Sequence, residues 1–228
     1  MHVKVAAFQH SPTEPLGLFE SIFAEKKIPF EYIRLYETNE VPRIDASHLV
    51  FLGGPMSVND EEELPWLVQE KALIRRSVKE RRKVLGICLG AQLIASAFGA
   101  KVYRFVPENG WRFLNGEPGT LFPDRFPVFQ FHGETFEIPY GGKLLASGTD
   151  VRNQAFSCKT TLGLQFHLEL TEPIIRDWSR DLKTFMRERI GRETPRYLPA
   201  SNRLCRMVAD DFLAGNPLNT TIKFPTTE

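Results

Sequence analysis

Three side chains that could perform nucleophilic catalysis lie at two points of the chain, Cys88 in the first half and His167 with Glu169 in the second. Cys88 stands between Gly86 and Gly90, after an apolar run and before a helical one, in the G-x-C-x-G pattern of a nucleophile turn. The glycines remove the Cβ atoms that would clash where a strand reverses into a helix. Because a helix N-terminus favours a thiolate, the pattern predicts a cysteine nucleophile.

The second point supplies a base and a group that orients it. Residues 162–166 have a strand pattern that continues into His167-Leu168-Glu169, and side chains two positions apart on an extended chain point the same way. We therefore expect Glu169 to hold one ring nitrogen of His167 while the other faces Cys88. A buried small cysteine or a surface His–Glu pair would each be ordinary alone, but their combination favours catalysis. In α/β-hydrolases the acid precedes the histidine, so this order points away from esterases.

The elements around these residues predict an α/β fold: an open, mostly parallel twisted sheet of flavodoxin-like type, with helices on both faces and a small antiparallel excursion. Buried-strand patterns lie at residues 3–8, 30–36, 49–52 and 83–87, and helical patterns alternate with them at residues 16–27, 64–82 and 89–98. Short strand patterns at residues 128–131, 143–147, 154–158 and 162–166, amid frequent Pro and Gly, predict the antiparallel part.

The end of the chain is expected to add helices rather than a second catalytic unit. A helix is predicted at residues 172–190, then a Pro-containing linker after Gly191, a last helix at residues 201–214 and a loose polar tail at residues 215–228. We therefore divide the chain into a catalytic-type domain at residues 1–190 and a segment at residues 191–228 that packs on it or trails from it.

Composition excludes several classes of protein. With 29 Lys and Arg against 28 Asp and Glu, the net charge of +1 offers no broad surface for nucleic acid or an anionic membrane. Neither a signal segment nor a membrane-length apolar run is recognisable, which predicts a cytoplasmic protein. Three widely spaced cysteines, Cys88, Cys158 and Cys205, fit neither a disulfide framework nor a zinc site, so each is expected to be a thiol.

The sequence resembles the class I glutamine amidotransferase family, in particular a stand-alone branch similar to the amidotransferase domain of GMP synthase. Residues 86–90 with Gln92 are similar to the family's nucleophile motif, residues 165–169 to its second signature, and residues 51–55 to its oxyanion loop. The resemblance covers roughly residues 1–190. Two positions depart from the family pattern: Leu168 stands where relatives usually have proline, and Ala91 where they often have a larger residue.

The resemblance implies that Cys88 attacks the side-chain amide of glutamine or another γ-glutamyl compound. Ammonia would leave, and water would cleave the resulting thioester to release glutamate. The backbone amides of Gly54 and Leu89 are expected to stabilise the oxyanion, and Gln92 to contact the substrate. The scheme requires neither a metal nor an organic cofactor.

Three functions stay open. The chain could be a glutaminase that serves a separate synthetase subunit, since no phosphate-binding loop for an acceptor reaction is recognisable. It could instead be a γ-glutamyl peptidase acting alone, or a non-catalytic homologue that binds a partner, although the intact Cys88, His167 and Glu169 argue against the last. His132 is left outside the catalytic set because a structural hydrogen bond would explain it equally well. The remaining candidate side chains are expected to be structural or incidental: His10, Cys158 and Cys205.

Overall fold

Nine strands form one sheet in the described part of the chain, residues 3–214 of the computed structural model. In chain order they are β1 (Val5–Gln9), β2 (Phe30–Arg34), β3 (His48–Phe51), β4 (Lys83–Ile87), β5 (Val102–Gly116), β6 (Phe126–Phe136), β7 (Lys143–Ser147), β8 (Asn153–Cys158) and β9 (Thr161–Leu164). The helices of the same part are α1 (Leu18–Glu25), α2 (Leu35–Thr38), α3 (Trp66–Lys79), α4 (Leu89–Ala97), α5 (Glu172–Trp178) and α6 (Thr184–Ala214).

The sheet has a parallel half and an antiparallel half, in the spatial order β2-β1-β3-β4-β9-β8-β7-β5-β6. Strands β2, β1, β3, β4 and β9 pair in parallel, and every pair from β9 to β6 is antiparallel. This arrangement confirms the predicted fold class. Strand β9 lies between the two halves and beside β4, so the segments that follow β4 and β9 come close together.

Helices cover both faces of the parallel half, as is usual for parallel sheets. Alternate residues of β1 face opposite ways, Val5 and Ala7 into one apolar cluster and Ala6 and Phe8 into the other. Residues of α1 and α6 share the first cluster, and residues of α3 and α4 share the second. The parallel strands are therefore held by helices on both faces, and the site lies at the carboxyl edge of these strands.

Several expected boundaries differ from the structure. Strand β2 ends at Arg34, because the next four residues turn into α2, and strand β9 already ends at Leu164. The helix expected at residues 172–190 is two helices, α5 and the start of α6. Strand β5 has no counterpart among the predicted strands: it runs for 15 residues through Pro107 and contains a register shift between Arg104 and Glu108. The shift accommodates the proline, which has no N–H for the ladder.

The linker expected after Gly191 is wrong, because α6 continues through Gly191, Pro195 and Pro199 without a break. A proline inside a helix removes one hydrogen bond and frees a carbonyl. All three residues lie on the exposed side, where water can satisfy the freed carbonyls. The opposite side of the helix is buried, and Trp111 Nε1 donates to Thr194 Oγ1 at 3.0 Å. Tertiary packing therefore overrides the local signal for a break.

The second half of α6 packs in the same apolar cluster as β1 and α1, through Leu204, Val208 and Phe212 among others. The division of the chain at residue 190 stays a prediction, and the tail at residues 215–228 lies outside the described residues. Within residues 3–214, no helix combines the length and apolar character needed to cross a bilayer.

We predict that Phe212→Ala destabilises the fold by about 3–5 kcal/mol, because it would leave a cavity beneath α6. The Phe212 side chain has no exposed surface and meets the His48 ring edge-on at a centroid distance of 5.0 Å. Phe185→Ala on the same helix is the matched control, since that ring is 65% exposed and its loss should change stability by no more than about 0.5 kcal/mol. Urea unfolding measures both. Equal effects would mean that the end of α6 does not belong to the core.

Candidate active site

Cys88 lies in a strained turn between β4 and α4. Its backbone has φ 51° and ψ −106°, a positive-φ conformation that non-glycine residues rarely adopt. A Cβ atom on Gly86 would lie 2.4 Å from the Gly90 carbonyl, and one on Gly90 would lie 2.0 Å from the Phe51 carbonyl oxygen. Both positions therefore require glycine. The Cys88 N–H donates to the Leu164 carbonyl at 2.7 Å, which ties the turn to the end of β9.

His167 is held between Glu169 and Cys88. Its Nδ1 and Glu169 Oε1 are 2.6 Å apart, and the ring also hydrogen-bonds Cys88. Both members of the His–Glu pair are almost fully buried. Burial disfavours the imidazolium, but the charge of Glu169 and the hydrogen bonds with Cys88 and Glu169 outweigh it, so the pKa of His167 lies well above its ordinary value. The structure thus brings together the three residues that the two sequence patterns supplied.

Backbone contacts from the antiparallel half fix the segment that carries His167. The Gln165 N–H donates to the Gln154 carbonyl at 2.8 Å, and the His167 N–H donates to the Phe129 carbonyl at 2.9 Å. Position 167 is thus an isolated bridge to β6 rather than part of β9. The Trp178 ring on α5 meets the imidazole edge-on at a centroid distance of 4.8 Å. These contacts restrict the ring to one orientation.

The candidate oxyanion donors lie beside the cysteine. Leu89 is the first residue of α4, where helix N–H groups have no partner inside the helix. Within residues 3–214 the Gly54 N–H has no backbone acceptor. The two residues are in contact, since a Cβ atom on Gly54 would lie 2.7 Å from Leu89 Cδ2. Both amides are therefore available near Cys88, as an oxyanion site requires.

Gln92 lies one turn along α4 from the cysteine and lines the same pocket. Its Nε2 is 3.3 Å from both the Glu134 carbonyl oxygen and Gln165 Oε1. Gln165 in turn directs its Nε2 to the Cys88 sulfur at 3.7 Å. The two glutamines thus form a chain of amides from the pocket wall to the sulfur. The sequence pattern contained Gln165 as part of a motif but gave it no role.

The pocket is a cavity of about 630 Å³ with Cys88 and His167 in its wall. The β5–β6 part of the sheet supplies one side of it, including Arg104, Phe105, His132 and Glu134, and α5 supplies Trp178. Its size and mixed lining are typical of a small-molecule site. Within residues 3–214, no three His, Cys, Asp or Glu side chains are grouped closely enough to hold a metal ion.

Glu14 is a pocket residue that sequence reasoning missed. A Cβ atom on Gly53 would lie 1.8 Å from Glu14 Oε2 and 3.3 Å from His167 Cε1, so this carboxyl stands next to the catalytic-type pair. Burial raises the pKa of Glu14, and the nearby charge of His167 opposes that rise. Only the proximity of residue 14 to residue 167 in space reveals this position, because nothing in the local pattern marks it.

The other histidines and cysteines are distributed as follows. His132 lines the pocket, with Nε2 3.2 Å from Glu108 Oε2 and Nδ1 3.0 Å from the Glu134 carbonyl oxygen. His10, which was expected to be structural or incidental, hydrogen-bonds the Gly53 carbonyl in the loop that carries Gly54. Cys158 and Cys205 are buried free thiols within apolar clusters.

Comparison with known proteins identifies the family. A family model for glutamine amidotransferase class-I matches residues 21–173, which is most of the described fold. The chain belongs to the class I glutamine amidotransferase family. Among solved structures, a glutamine amidotransferase from Thermotoga maritima superposes with a TM-score of 0.83 at 32% identity, covering 93% of this chain and 99% of the other. One from Methylobacillus flagellatus gives 0.87 at 27% identity, covering 100% and 99%.

Two curated relatives specify the branch. The chain is 34% identical over 154 residues to a glutamine-hydrolysing GMP synthase of Cytophaga hutchinsonii, a match that covers 63% of this chain and 29% of that enzyme. It is 37% identical over 140 residues to a subunit of the glutamine-hydrolysing GMP synthase of Saccharolobus solfataricus, covering 58% of this chain and 70% of the subunit. The match thus takes in less than a third of the first enzyme and most of the second protein.

We predict that Glu169→Gln lowers the pKa of His167, because the carboxylate that holds the proton is lost while the burial that opposes it stays. If His167 must be protonated to act, it would then lose its proton at a lower pH than in the wild-type chain. The alkaline decline of kcat should move to lower pH, and kcat near neutrality should fall on the order of 10²-fold. A kcat–pH profile measures this, with the exposed Glu172→Gln as the matched control. Unshifted profiles in both variants would contradict the role given to Glu169.

Proposed function

We propose that this chain hydrolyses the side-chain amide of glutamine through a cysteine thioester, releasing glutamate and ammonia. One observation carries the proposal: an almost fully buried His167 bonds Glu169 on one side and Cys88 on the other, in the wall of the pocket. A nucleophile, a base and a group that orients the base are the parts that such chemistry needs. Membership of the class I family supports the same reaction.

In the proposed acylation, the Cys88 sulfur attacks the amide carbon and a carbon–sulfur bond forms. The negative charge moves to the amide oxygen, where the N–H groups of Gly54 and Leu89 stabilise it. His167 donates its proton to the nitrogen, the carbon–nitrogen bond breaks and ammonia leaves. The raised pKa of His167 suits this step, because it favours the imidazolium that donates the proton.

In the proposed deacylation, the neutral His167 accepts a proton from a water molecule that attacks the thioester. The carbon–sulfur bond breaks, glutamate leaves and the sulfur regains its starting form. Glu169 keeps its charge throughout and holds the imidazole in one orientation. Gln92 lies where it can contact the glutamyl part of the substrate, because it lines the pocket one turn from Cys88.

We propose that a separate synthetase subunit uses the released ammonia. The supporting observation is the relative in Saccharolobus solfataricus, which is itself one subunit of a GMP synthase and matches this chain over 70% of its own length. In the Cytophaga hutchinsonii enzyme the matched region is only 29% of a longer chain. Under this proposal the acceptor activity resides in the partner subunit.

The second candidate function is a γ-glutamyl hydrolase that acts alone, and the size and lining of the pocket support it. About 630 Å³ can hold a ligand larger than glutamine, and Phe105, Phe131 and Trp178 line it together with polar groups. Glutamate release from glutamine and from glutathione distinguishes the candidates. We expect a higher kcat/KM with glutamine, and the opposite order would make the peptide amide the substrate.

We predict that Cys88→Ala abolishes glutamate release, because Cys88 is the thiol that lines the pocket and neither Cys158 nor Cys205 does. Cys158→Ala is the matched control: this thiol is also buried, but it lies in the apolar cluster under α4, so turnover should be retained. An electrophilic glutamine analogue should label Cys88 alone, as peptide mass analysis would detect. Turnover by Cys88→Ala would refute the nucleophile. Failure of the wild-type chain to react with either glutamine or the analogue would favour a non-catalytic homologue.

A further inference from the structure

A second buried His–Glu pair contacts the loop that carries the proposed oxyanion donor. His10, which follows β1, places its Nδ1 3.0 Å from the Gly53 carbonyl oxygen and its Nε2 3.0 Å from Glu70 Oε1. Both side chains have no exposed surface. The Trp66 ring stacks on the imidazole at a centroid distance of 5.5 Å and an interplanar angle of 17°. Trp66 and Glu70 are one turn apart on α3, so one helix fixes the ring plane and its hydrogen bond.

The hydrogen-bond direction at Gly53 is determined by chemistry. A carbonyl oxygen only accepts, so His10 Nδ1 carries the hydrogen. One further proton lies between Nε2 and Glu70 Oε1. Burial opposes charge on His10, but Glu70 and the Gly53 carbonyl outweigh it and raise the pKa of His10, while burial raises the pKa of Glu70. Whether that further proton resides on Nε2 or on Glu70, Nδ1 keeps its hydrogen and donates it to the Gly53 carbonyl.

The peptide geometry transfers this constraint to Gly54. The described residues contain no cis peptide bond, so the Gly53 carbonyl and the Gly54 N–H point in opposite directions from one rigid plane. Fixing the carbonyl on the His10 side fixes the N–H on the other side. Gly54 borders the pocket beside Cys88 and Leu89, and two glycines in sequence would otherwise rotate freely. Without the bond to His10, the peptide could flip and remove the donor.

We propose that the Glu70–His10 pair is a positioning device that holds the 53–54 peptide with the Gly54 N–H directed at the oxyanion. The inference rests on the proposed function, since it assigns a role in that reaction. A purely stabilising role explains the pair poorly, because two polar groups taken out of water regain little net free energy. Glu70 Oε2 is moreover buried without a hydrogen-bond partner in the described part of the chain, a further cost to stability.

The test compares two double variants that differ only at position 10. In both, Glu70→Met removes the carboxylate so that it is not left buried without its partner. His10→Phe keeps a ring that can stack on Trp66 but removes the donor to Gly53. His10→Asn restores an N–H at about the place of Nδ1, because the Asn amide is as far from the backbone. His48→Phe is the control for loss of a buried histidine outside the pocket.

We predict that kcat for glutamine falls about 100-fold in the double variant with His10→Phe. In the double variant with His10→Asn, kcat should be about tenfold higher than that, as expected for loss and partial return of an oxyanion donor. KM should stay nearly constant, since the oxyanion exists only after attack. Alkylation of Cys88 by iodoacetamide should keep its wild-type rate, because that displacement forms a carbon–sulfur bond and expels iodide without any oxyanion. His48→Phe should leave both rates unchanged.

Other outcomes would overturn the inference. If the double variant with His10→Phe keeps the wild-type kcat, the hydrogen bond to Gly53 does not matter for the reaction. If kcat and the alkylation rate fall together in that double variant, Glu70 and His10 support the whole site rather than the oxyanion donor. An inactive wild-type chain would refute the proposed function instead. Crystal structures then test the positioning role by themselves: the 53–54 peptide should be rotated in the double variant with His10→Phe, and an unchanged peptide would refute the role.

Discussion

The close approach of α4 to the ends of β3 and β4 is the constraint on which the site depends. Gly90 lies so near the Phe51 carbonyl that any side chain there would overlap it. The turn just before Gly90 carries the positive-φ backbone at Cys88, and the Leu89 N–H at the start of α4 has no partner inside the helix, next to the sulfur. The same contact carries β3 into the loop at Gly53. One packing requirement therefore places the nucleophile and both candidate oxyanion donors.

Buried His–Glu pairs recur around this region in the described part of the chain, with different geometric results. His167 bonds Glu169 with one nitrogen and faces the Cys88 sulfur with the rest of its ring, so it can transfer a proton in the proposed reaction. His10 bonds Glu70 with one nitrogen and the Gly53 carbonyl with the other, and because a carbonyl only accepts, the second bond fixes the peptide instead of passing a proton on. The chemistry of an imidazole backed by a carboxylate is common to both, and the group facing the second nitrogen decides what it does.

Local patterns in the sequence are sufficient for β1 to β4 of the parallel half and for the cysteine turn, because each depends on residues close together in the chain. They placed β9 only in the antiparallel part, whereas it also pairs in parallel with β4. The links to residue 167 are less visible, since Phe129 and Trp178 hold it from distant elements. Strand β5 was not predicted because Pro107 and two glycines are typical of a loop, and the continuity of α6 was not predicted because Pro199 is typical of a break. In both cases packing against the sheet outweighs the local preference of the backbone.

The two halves of the sheet divide the work of the site. The parallel half and its helices supply the sulfur and the candidate oxyanion amides, whereas the β5–β6 strands supply Arg104, Phe105 and Glu134 to the pocket wall. The register shift in β5 falls between Arg104 and Glu108, so the strand is bent where it borders the pocket. Changes there would alter which group fits beyond the glutamyl amide without moving Cys88. In the proposed reaction, the β5–β6 wall would therefore select the leaving group or acceptor. Cys88 comes from the parallel half, whereas His167 is held by the bond of its N–H to Phe129 in the antiparallel half.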